Sequence, residues 1–271
     1  MKILHIIPNL SSEGAERLVI EIVRELKKKV DIEVRLLIFR DVIEYEIEDI
    51  KDCVFIIPTS LKLSVWRKNS FRMEELQKFI DAFNPDVIHT HLFEAEIAAR
   101  IKPIQNCAYF SHAHWNTKEL AKPRIKDSFS RNGIIKIYEY YFILNLYKKC
   151  KNKFITISKH TNEYYKKNIP TFSQNTFYIQ NAIQLANFAI GSSRILKKKG
   201  NLMRLVSVGT LNKRKNQLFH YSRVQARLFR SPRRRQPAVS LSCATSAWRP
   251  CPRFLCRFRR QGSSICASYA K

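Results

Sequence analysis

The sequence predicts an α/β protein: a doubly wound, mostly parallel sheet, followed by the opening of an incomplete second domain. Three observations lead there. Short apolar runs alternate with segments whose apolar residues follow a helical period, the pattern of successive βαβ units. The run Ile3 to Ile7 is continuously apolar apart from His5, as suits a strand covered on both faces. Far downstream, Leu205-Val206-Ser207-Val208-Gly209 presents a second such strand running into a glycine turn, with Lys213, Arg214 and Lys215 behind it. Open α/β sheets bind ligands at the carboxyl ends of their strands, which is where that basic loop falls.

The elements follow in order. Ile3 to Ile7 is a central strand, stopped by Pro8 and Asn9. After the loop Leu10 to Gly14, the residues Ala15, Leu18, Val19, Ile22, Val23 and Leu26 trace one face of an amphipathic helix, closed by Lys27-Lys28-Lys29. Ile32 to Phe39 and Cys53 to Ile57 read as strands, and Phe71 to Phe83 as a helix halted by Asn84-Pro85. Asp86 to His91 is a strand, Glu94 to Ile101 a helix, and Asn106 to Ser111 a strand that ends at His112-Ala113-His114. A long aromatic helix spans Ile134 to Tyr147. A strand (Phe154 to Ile157), a helix (Lys159 to Lys167) and a strand (Phe177 to Gln180) complete the first domain, residues 1–185. Residues 186–200 have linker composition, with Gly191-Ser192-Ser193 and Lys197-Lys198-Lys199-Gly200. Residues 201–217 open the second domain, and 218–271 form an arginine-rich tail expected to be disordered.

Charge points to anionic partners, but unevenly. The 271 residues carry a formal +27, with 49 basic and 22 acidic side chains. Twelve of the basic residues and none of the acidic ones lie from Leu218 onward, leaving +15 for the rest. That balance suits a protein working beside an anionic surface. Cys53, Cys107 and Cys150 lie in or beside apolar segments without paired spacing, as reduced thiols do. No run approaches the roughly 18–20 apolar residues that span a bilayer, and no secretory signal is evident, so a cytoplasmic location is expected.

Two places could carry chemistry. The loop Glu13-Gly14-Ala15-Glu16 stands where a phosphate or sugar would meet a helix N-terminus, or it is an ordinary tight turn. With one glycine it is no G-x-G-x-x-G loop, which argues against a dinucleotide oxidoreductase. His89 and His91 lie two apart in a strand and share a face, and His112 and His114 repeat this on the next strand. They could hydrogen-bond or exchange protons with a substrate, bind zinc or copper, or be polar loop residues. No cysteine or carboxylate set completes a metal geometry in the sequence.

These pieces resemble the N-terminal domain of retaining family 4 glycosyltransferases. The resemblance rests on Lys2 to Ile7 with Glu13-Gly14-Ala15-Glu16-Arg17, on Pro85-Asp86-Val87-Ile88-His89-Thr90-His91, and on the strand ending at His112. It continues through Phe154-Ile155-Thr156-Ile157-Ser158-Lys159, Ile179 to Ile183, and Val208-Gly209-Thr210-Leu211 to Asn216. It implies a GT-B fold of two facing Rossmann-like domains and transfer of a hexose from a nucleotide diphosphate sugar to a glycan or lipid-linked acceptor. Surface polysaccharide or glycolipid synthesis, at the inner face of the cell membrane, is the implied setting. Gly14, Ala15, Glu16 and His91 would bind the acceptor, with the Gly14 loop also approaching the donor diphosphate. His112 would sit at the reacting sugar. Gly209, Arg214 and Lys215 would hold the donor phosphates, Lys215 stabilising the leaving group. No bound metal or cofactor is implied, the nucleotide sugar being a substrate. Glu13 and Thr210 depart from the family pattern, which usually has glycine and arginine there.

The pattern breaks near Leu218. The family's Glu-x7-Glu pair has no counterpart, since Glu163 is the last acidic residue. Lysine, isoleucine and asparagine give way to arginine, serine, proline, alanine and cysteine, as translation in a shifted reading frame would produce. The chain as given is therefore expected to be truncated in its second domain and to transfer no sugar. The rival reading takes Arg233-Arg234-Arg235 and the later arginines as a nucleic-acid-binding tail, with Trp248, Phe254 and Phe258 stacking on bases. Cys243, Cys251, Cys256 and Cys266 have spacings that match no zinc knuckle or ribbon.

Overall fold

In the computed structural model the first apolar run is a strand, β1 (Lys2–Ile7), with all but Lys2 buried. The structure describes residues 1–66 and 69–182, together with the backbone of 203–208 and 239–244. Helix α1 (Gly14–Lys27) follows, then β2 (Glu33–Ile38), a 3-10 turn over Glu48–Cys53 and β3 (Val54–Ile56). Cys53 thus ends a turn and does not begin the strand.

The next segment differs from expectation. Ser60–Lys62 (β4) and Ser70–Arg72 (β5) pair antiparallel, and α2 starts only at Glu74, running to Phe83. At 3.6 residues per turn, Phe71 would stand about 80–140° round a helix from Leu76, Phe79 and Phe83, off their apolar face. Its ring instead stacks on Phe142, 6.5 Å between centroids. Asn84 caps α2 at φ 48°, a left-handed conformation that asparagine tolerates.

The remaining elements alternate: β6 (Val87–His91), α3 (Phe93–Arg100), β7 (Ala108–Ala113), α4 (Arg131–Lys149), β8 (Lys153–Thr156), α5 (Lys159–Asn168) and β9 (Thr176–Tyr178). Seven parallel strands form one sheet in the order β3-β2-β1-β6-β7-β8-β9. This is the doubly wound, mostly parallel architecture that the alternation predicted. The strand order reverses between β1 and β6, so the carboxyl ends of those two strands flank the switch point where such sheets take ligands.

Alternate residues of each strand feed two cores. Ile3, Ile7, Val34, Leu36 and Ile38 pack with Val19 and Val23 of α1. Leu4, Ile6, Leu37 and Ile88 pack on the other side with Leu76, Ile80 and Phe83 of α2 and the alanines of α3. A third cluster joins Tyr140, Ile143 and Tyr147 of α4 to Phe154, Tyr165 and Phe172. Each large apolar side chain taken out of water contributes about 1.5–3 kcal/mol.

Gly133 has a specific steric role. A Cβ there would lie 1.9 Å from the carbonyl oxygen of Asp127, so glycine lets the 3-10 turn Ile125–Phe129 lie against the first turn of α4. Ser130 caps that helix, its hydroxyl accepting from the Gly133 amide at 3.1 Å.

The chain divides into two compact units, Met1–Ile183 and Gln184–Lys271. In the second, Met203–Val208 (β10) and Val239–Ala244 (β11) pair in parallel. β10 is the strand expected before the basic loop, and β11 is a strand within the tail. Gly209, Thr210, Arg214 and Lys215, the linker 186–200 and the rest of the tail lie outside the described residues.

Candidate functional site

Strand pairing brings the expected histidines together and adds a fifth. His5 of β1 is in register with His89 of β6, and His91 of β6 with His112 of β7. Side chains alternate along a strand, so these four project from one face, and His114 follows His112 two residues on. The rings form a continuous stack: His89 to His91 is 4.5 Å between centroids, His91 to His112 5.1 Å, and His112 to His114 4.5 Å. His5 lies 4.9 Å from His89. His5, His91 and His112 are buried, and His89 and His114 half-buried, so these are not polar loop residues. Nothing in the sequence near His5 marked it. Only the order β1-β6-β7 places it in the group.

Three nitrogen pairs stand 3.2 Å apart: His5 Nδ1 with His91 Nε2, His91 Nδ1 with His114 Nε2, and His89 Nε2 with His112 Nδ1. A neutral imidazole has one donor and one acceptor nitrogen, so each contact can share a single proton. Burial disfavours the charged form. It lowers His5 to about 3, His114 to about 3 and His112 to about 4, and holds His89 and His91 well below their ordinary value. Repulsion between neighbouring rings adds to this for His5, His89, His91 and His114, while Asn181 beside His112 favours protonation and offsets part of the shift there. At neutral pH the stack is uncharged.

The connection from β6 to α3 is strained. Leu92 sits at φ 68°, ψ 152°, a region that glycine favours, and it is the residue between His91 and the first turn of α3. Such a conformation costs on the order of 1–3 kcal/mol and tends to persist at functional sites. Its hydropathy gave no signal of this.

Glu96 was also missed, because it fits an ordinary helix. It is buried on α3, and its carboxyl meets the Tyr147 hydroxyl. Burial raises it to about 7, with Arg100 and the Tyr147 contact opposing. A cavity of about 10 Å³, the size of one water, is lined by Leu92, Glu96, His112, His114 and Trp115 among others. Glu96 is the carboxylate that the spacing of the histidines did not reveal.

On the opposite face of the same strands, Arg100 is fully buried. Its guanidinium donates to Asn152 Oδ1 at 2.6 and 2.9 Å, to Thr90 Oγ1 and Ser111 Oγ at 3.0 Å, and to the carbonyls of Glu96 and Phe110. It ties α3, β6, β7 and the approach to β8 together behind the histidines.

The Gly14 loop follows β1, at the same carboxyl edge. Gly14 is exposed, and a Cβ there would meet nothing within 4 Å, so the loop has open space before it. Ala15 packs inward. Glu16 is buried, with one oxygen 3.5 Å from the Ser11 hydroxyl and the other without a partner among the described residues. Desolvation first, and the charge of Glu13 in lesser part, raise its pKa. A wider groove of about 490 Å³ is lined by Asn116, Lys118, Glu119, Lys136, Glu139 and Tyr164.

Among solved structures, the chain is similar to S. aureus MnaA in complex with UDP, at 12% identity and a TM-score of 0.46. It is also similar to a candidate UDP-N-acetylglucosamine 2-epimerase from Listeria monocytogenes, at 15% identity and a TM-score of 0.46. Each match covers 89% of this chain and 62% of that one, so the chain spans less than two thirds of either protein. No curated protein matches it. The family described as Glycosyltransferase Family 4 matches residues 12–187, which hold the Gly14 loop and four of the five stacked histidines. The chain belongs to glycosyltransferase family 4.

Proposed function

We propose that residues 1–185 form the acceptor side of an enzyme that transfers a hexosyl group, with retention, from a nucleotide diphosphate sugar to a glycan or lipid-linked acceptor. The observation that carries this reading is the buried, uncharged imidazole stack at the carboxyl edge of β1, β6 and β7, within the family-matched region. Neutral imidazoles orient sugar hydroxyls by hydrogen bonds without adding charge where an oxocarbenium-like centre develops. His112 stands at the reacting sugar and His91 beside the acceptor. The open Gly14 loop and the start of α1 receive the acceptor and approach the diphosphate. Lys215, with Gly209 and Arg214, neutralises the leaving diphosphate. The nucleotide sugar is substrate, and no resident cofactor is needed.

Acceptors of this kind for surface polysaccharides lie at the inner face of the cell membrane, and one edge of the domain suits such a surface. Ile125 and Phe129 are 86% and 85% exposed, beside exposed Lys122, Arg124, Lys126 and Arg131. Among the described residues no helix is long and apolar enough to cross a membrane. We further propose that the chain as given transfers no sugar, since no acidic residue follows Glu163.

Isothermal titration of the full chain with UDP, GDP, NAD and single-stranded DNA, at about 150 mM salt to screen diffuse charge, tests the reading. Saturable binding of UDP or GDP in preference to NAD and DNA is expected. Preference for NAD, or binding of DNA alone, would contradict it.

A further inference from the structure

His112 keeps a buried nitrogen that no neighbouring group meets. The residue is 6% exposed, and its Nδ1 stands 3.2 Å from His89 Nε2. Its Nε2 has no hydrogen-bond partner among the described residues, although Asn181 lies beside the ring. A buried polar atom in that state points to an ordered water. The cavity of about 10 Å³ at this ring is the size of one water, and four polar side chains line it: Glu96, His112, His114 and Thr117.

Two of those four are already engaged. His114 Nε2 meets His91 Nδ1 at 3.2 Å, and the Thr117 hydroxyl meets that of Tyr165 at 2.9 Å. Glu96 commits Oε2 to the Tyr147 hydroxyl, which leaves Oε1. His112 Nε2 and Glu96 Oε1 are therefore the pair that a water in this cavity bridges.

We propose that Glu96 is a positioning residue for His112: it holds one water against His112 Nε2, and its own protonation state decides which nitrogen of that imidazole carries the hydrogen. A chain of hydrogen bonds strengthens itself when all its members point the same way. With Glu96 protonated, Oε1–H donates to the water, the water donates to His112 Nε2, and Nδ1–H donates to His89 Nε2. An ionised carboxylate can only accept. The water then donates to Oε1 and accepts from His112 Nε2–H, while Nδ1 accepts from His89 Nε2–H. One proton passes to solvent between the two states, and both rings stay neutral.

Glu96 is placed to make that change in the neutral range. Burial raises it to about 7, against Arg100 and the Tyr147 hydroxyl, which favour the carboxylate. The other titratable groups facing it are Tyr165 of α5 and His112 and His114 of β7. Burial holds both tyrosines well above their ordinary value and both histidines well below theirs. Among these groups Glu96 alone changes charge near neutrality. The bearing on sugar transfer rests on the reading of His112 as the group at the reacting sugar, where the tautomer fixes whether Nε2 accepts or donates.

The test uses the full chain labelled with ¹⁵N-histidine, without nucleotide sugar. Long-range ¹H–¹⁵N correlation distinguishes the two neutral tautomers from each other and from imidazolium. From about pH 5.5 to about pH 8.5, well above the range in which His112 itself protonates, His112 is expected to pass from Nδ1–H to Nε2–H. The change should have a single inflection at about pH 7. Glu96→Gln is expected to abolish the inflection and leave one tautomer throughout. Tyr147→Phe removes a donor to the carboxylate and is expected to move the inflection to higher pH. A purely structural tie between α3 and α4 would give His112 no inflection to move. Circular dichroism confirms that each variant is folded, and should Glu96→Gln fail to fold, the direction of the Tyr147→Phe shift decides. Three results would overturn the proposal: a His112 tautomer that is constant in the wild type, an inflection that survives Glu96→Gln, or one that stays or moves down in Tyr147→Phe. The readout needs no nucleotide sugar, so its failure and the failure of the glycosyltransferase reading are told apart.

Discussion

His91 Nδ1 and His114 Nε2 stand 3.2 Å apart across two neighbouring strands, and both rings are uncharged. This contact holds the outer end of the stack together only while one nitrogen donates and the other accepts. Protonating both rings puts two N–H groups face to face.

Acid stability follows from that. The folded-state values of His5, His112 and His114, about 3, 4 and 3, lie below the ordinary 6.5. The unfolded chain therefore binds more protons between those limits, and stability falls as pH falls. The stack's contribution is complete above about pH 6.5 and is lost progressively toward pH 4 and below. Thermal melts of the chain should show Tm falling steadily from pH 7 to pH 4.5. Replacing His5 with Gln should flatten that slope. A Tm independent of pH over this range would rule out the buried, neutral stack.

Leu92 gives a prediction with an unusual sign. In most positions glycine is less stable than alanine by about 0.5–1 kcal/mol, because it loses more backbone entropy on folding. At φ 68° the penalty on a side-chain-bearing residue is of similar or greater size and opposite sign. Leu92→Ala and Leu92→Gly both lose the packing of the leucine side chain against α1 and its neighbours. Urea unfolding should nevertheless find Leu92→Gly the more stable of the two, by about 1 kcal/mol. The ordinary order, alanine above glycine, would show that the strain is absent.

Arg100 is the polar residue on which the fold depends most. Removing it leaves Asn152, Thr90, Ser111 and two carbonyls short of a buried donor. Each orphaned group costs about 1–3 kcal/mol. Arg100→Ala should destabilise the domain by at least about 4 kcal/mol, and Arg100→Lys should recover less than half, because an ammonium cannot reproduce the planar fork. Denaturant unfolding measures both, and a loss under about 1 kcal/mol for Arg100→Ala would refute the role.

The sequence disclosed the seven-stranded sheet because apolar runs and helical periods alternate along the chain, the stretch between β3 and α2 apart. It also disclosed that His89 and His91, and separately His112 and His114, share a face, since a strand's side-chain period is two. It did not disclose that the two pairs join, or that His5 joins them, because strand order is set by packing between distant segments. Glu96 was hidden by its place in a helix, and Leu92 because backbone strain leaves no mark on hydropathy. The β4–β5 hairpin was hidden because two strands of three residues each are too short to show a period.

The exposed edge at the start of α4 is the proposed membrane contact. Burying Ile125 and Phe129 in a lipid interface adds apolar gain to the attraction of the surrounding cations for acidic headgroups. Partition into vesicles containing phosphatidylglycerol should fall about tenfold, equivalent to about 1.4 kcal/mol, in the double variant Ile125→Ser, Phe129→Ser. Partition should be weak for all forms on pure phosphatidylcholine. Equal partition of the wild type and the double variant would exclude this edge.

The central claim is that the histidine stack meets the sugar nucleotide and its acceptor. Imidazole Cε1–H resonances of the full chain, in chelator at about 150 mM salt, report on it directly during titration with UDP-glucose, UDP-N-acetylglucosamine, GDP-mannose, NAD and single-stranded DNA. The account predicts that at least one nucleotide hexose shifts His91, His112 and His114 saturably and leaves His160 in place. It is contradicted if those three resonances stay fixed with every nucleotide hexose, or if NAD or DNA alone moves them.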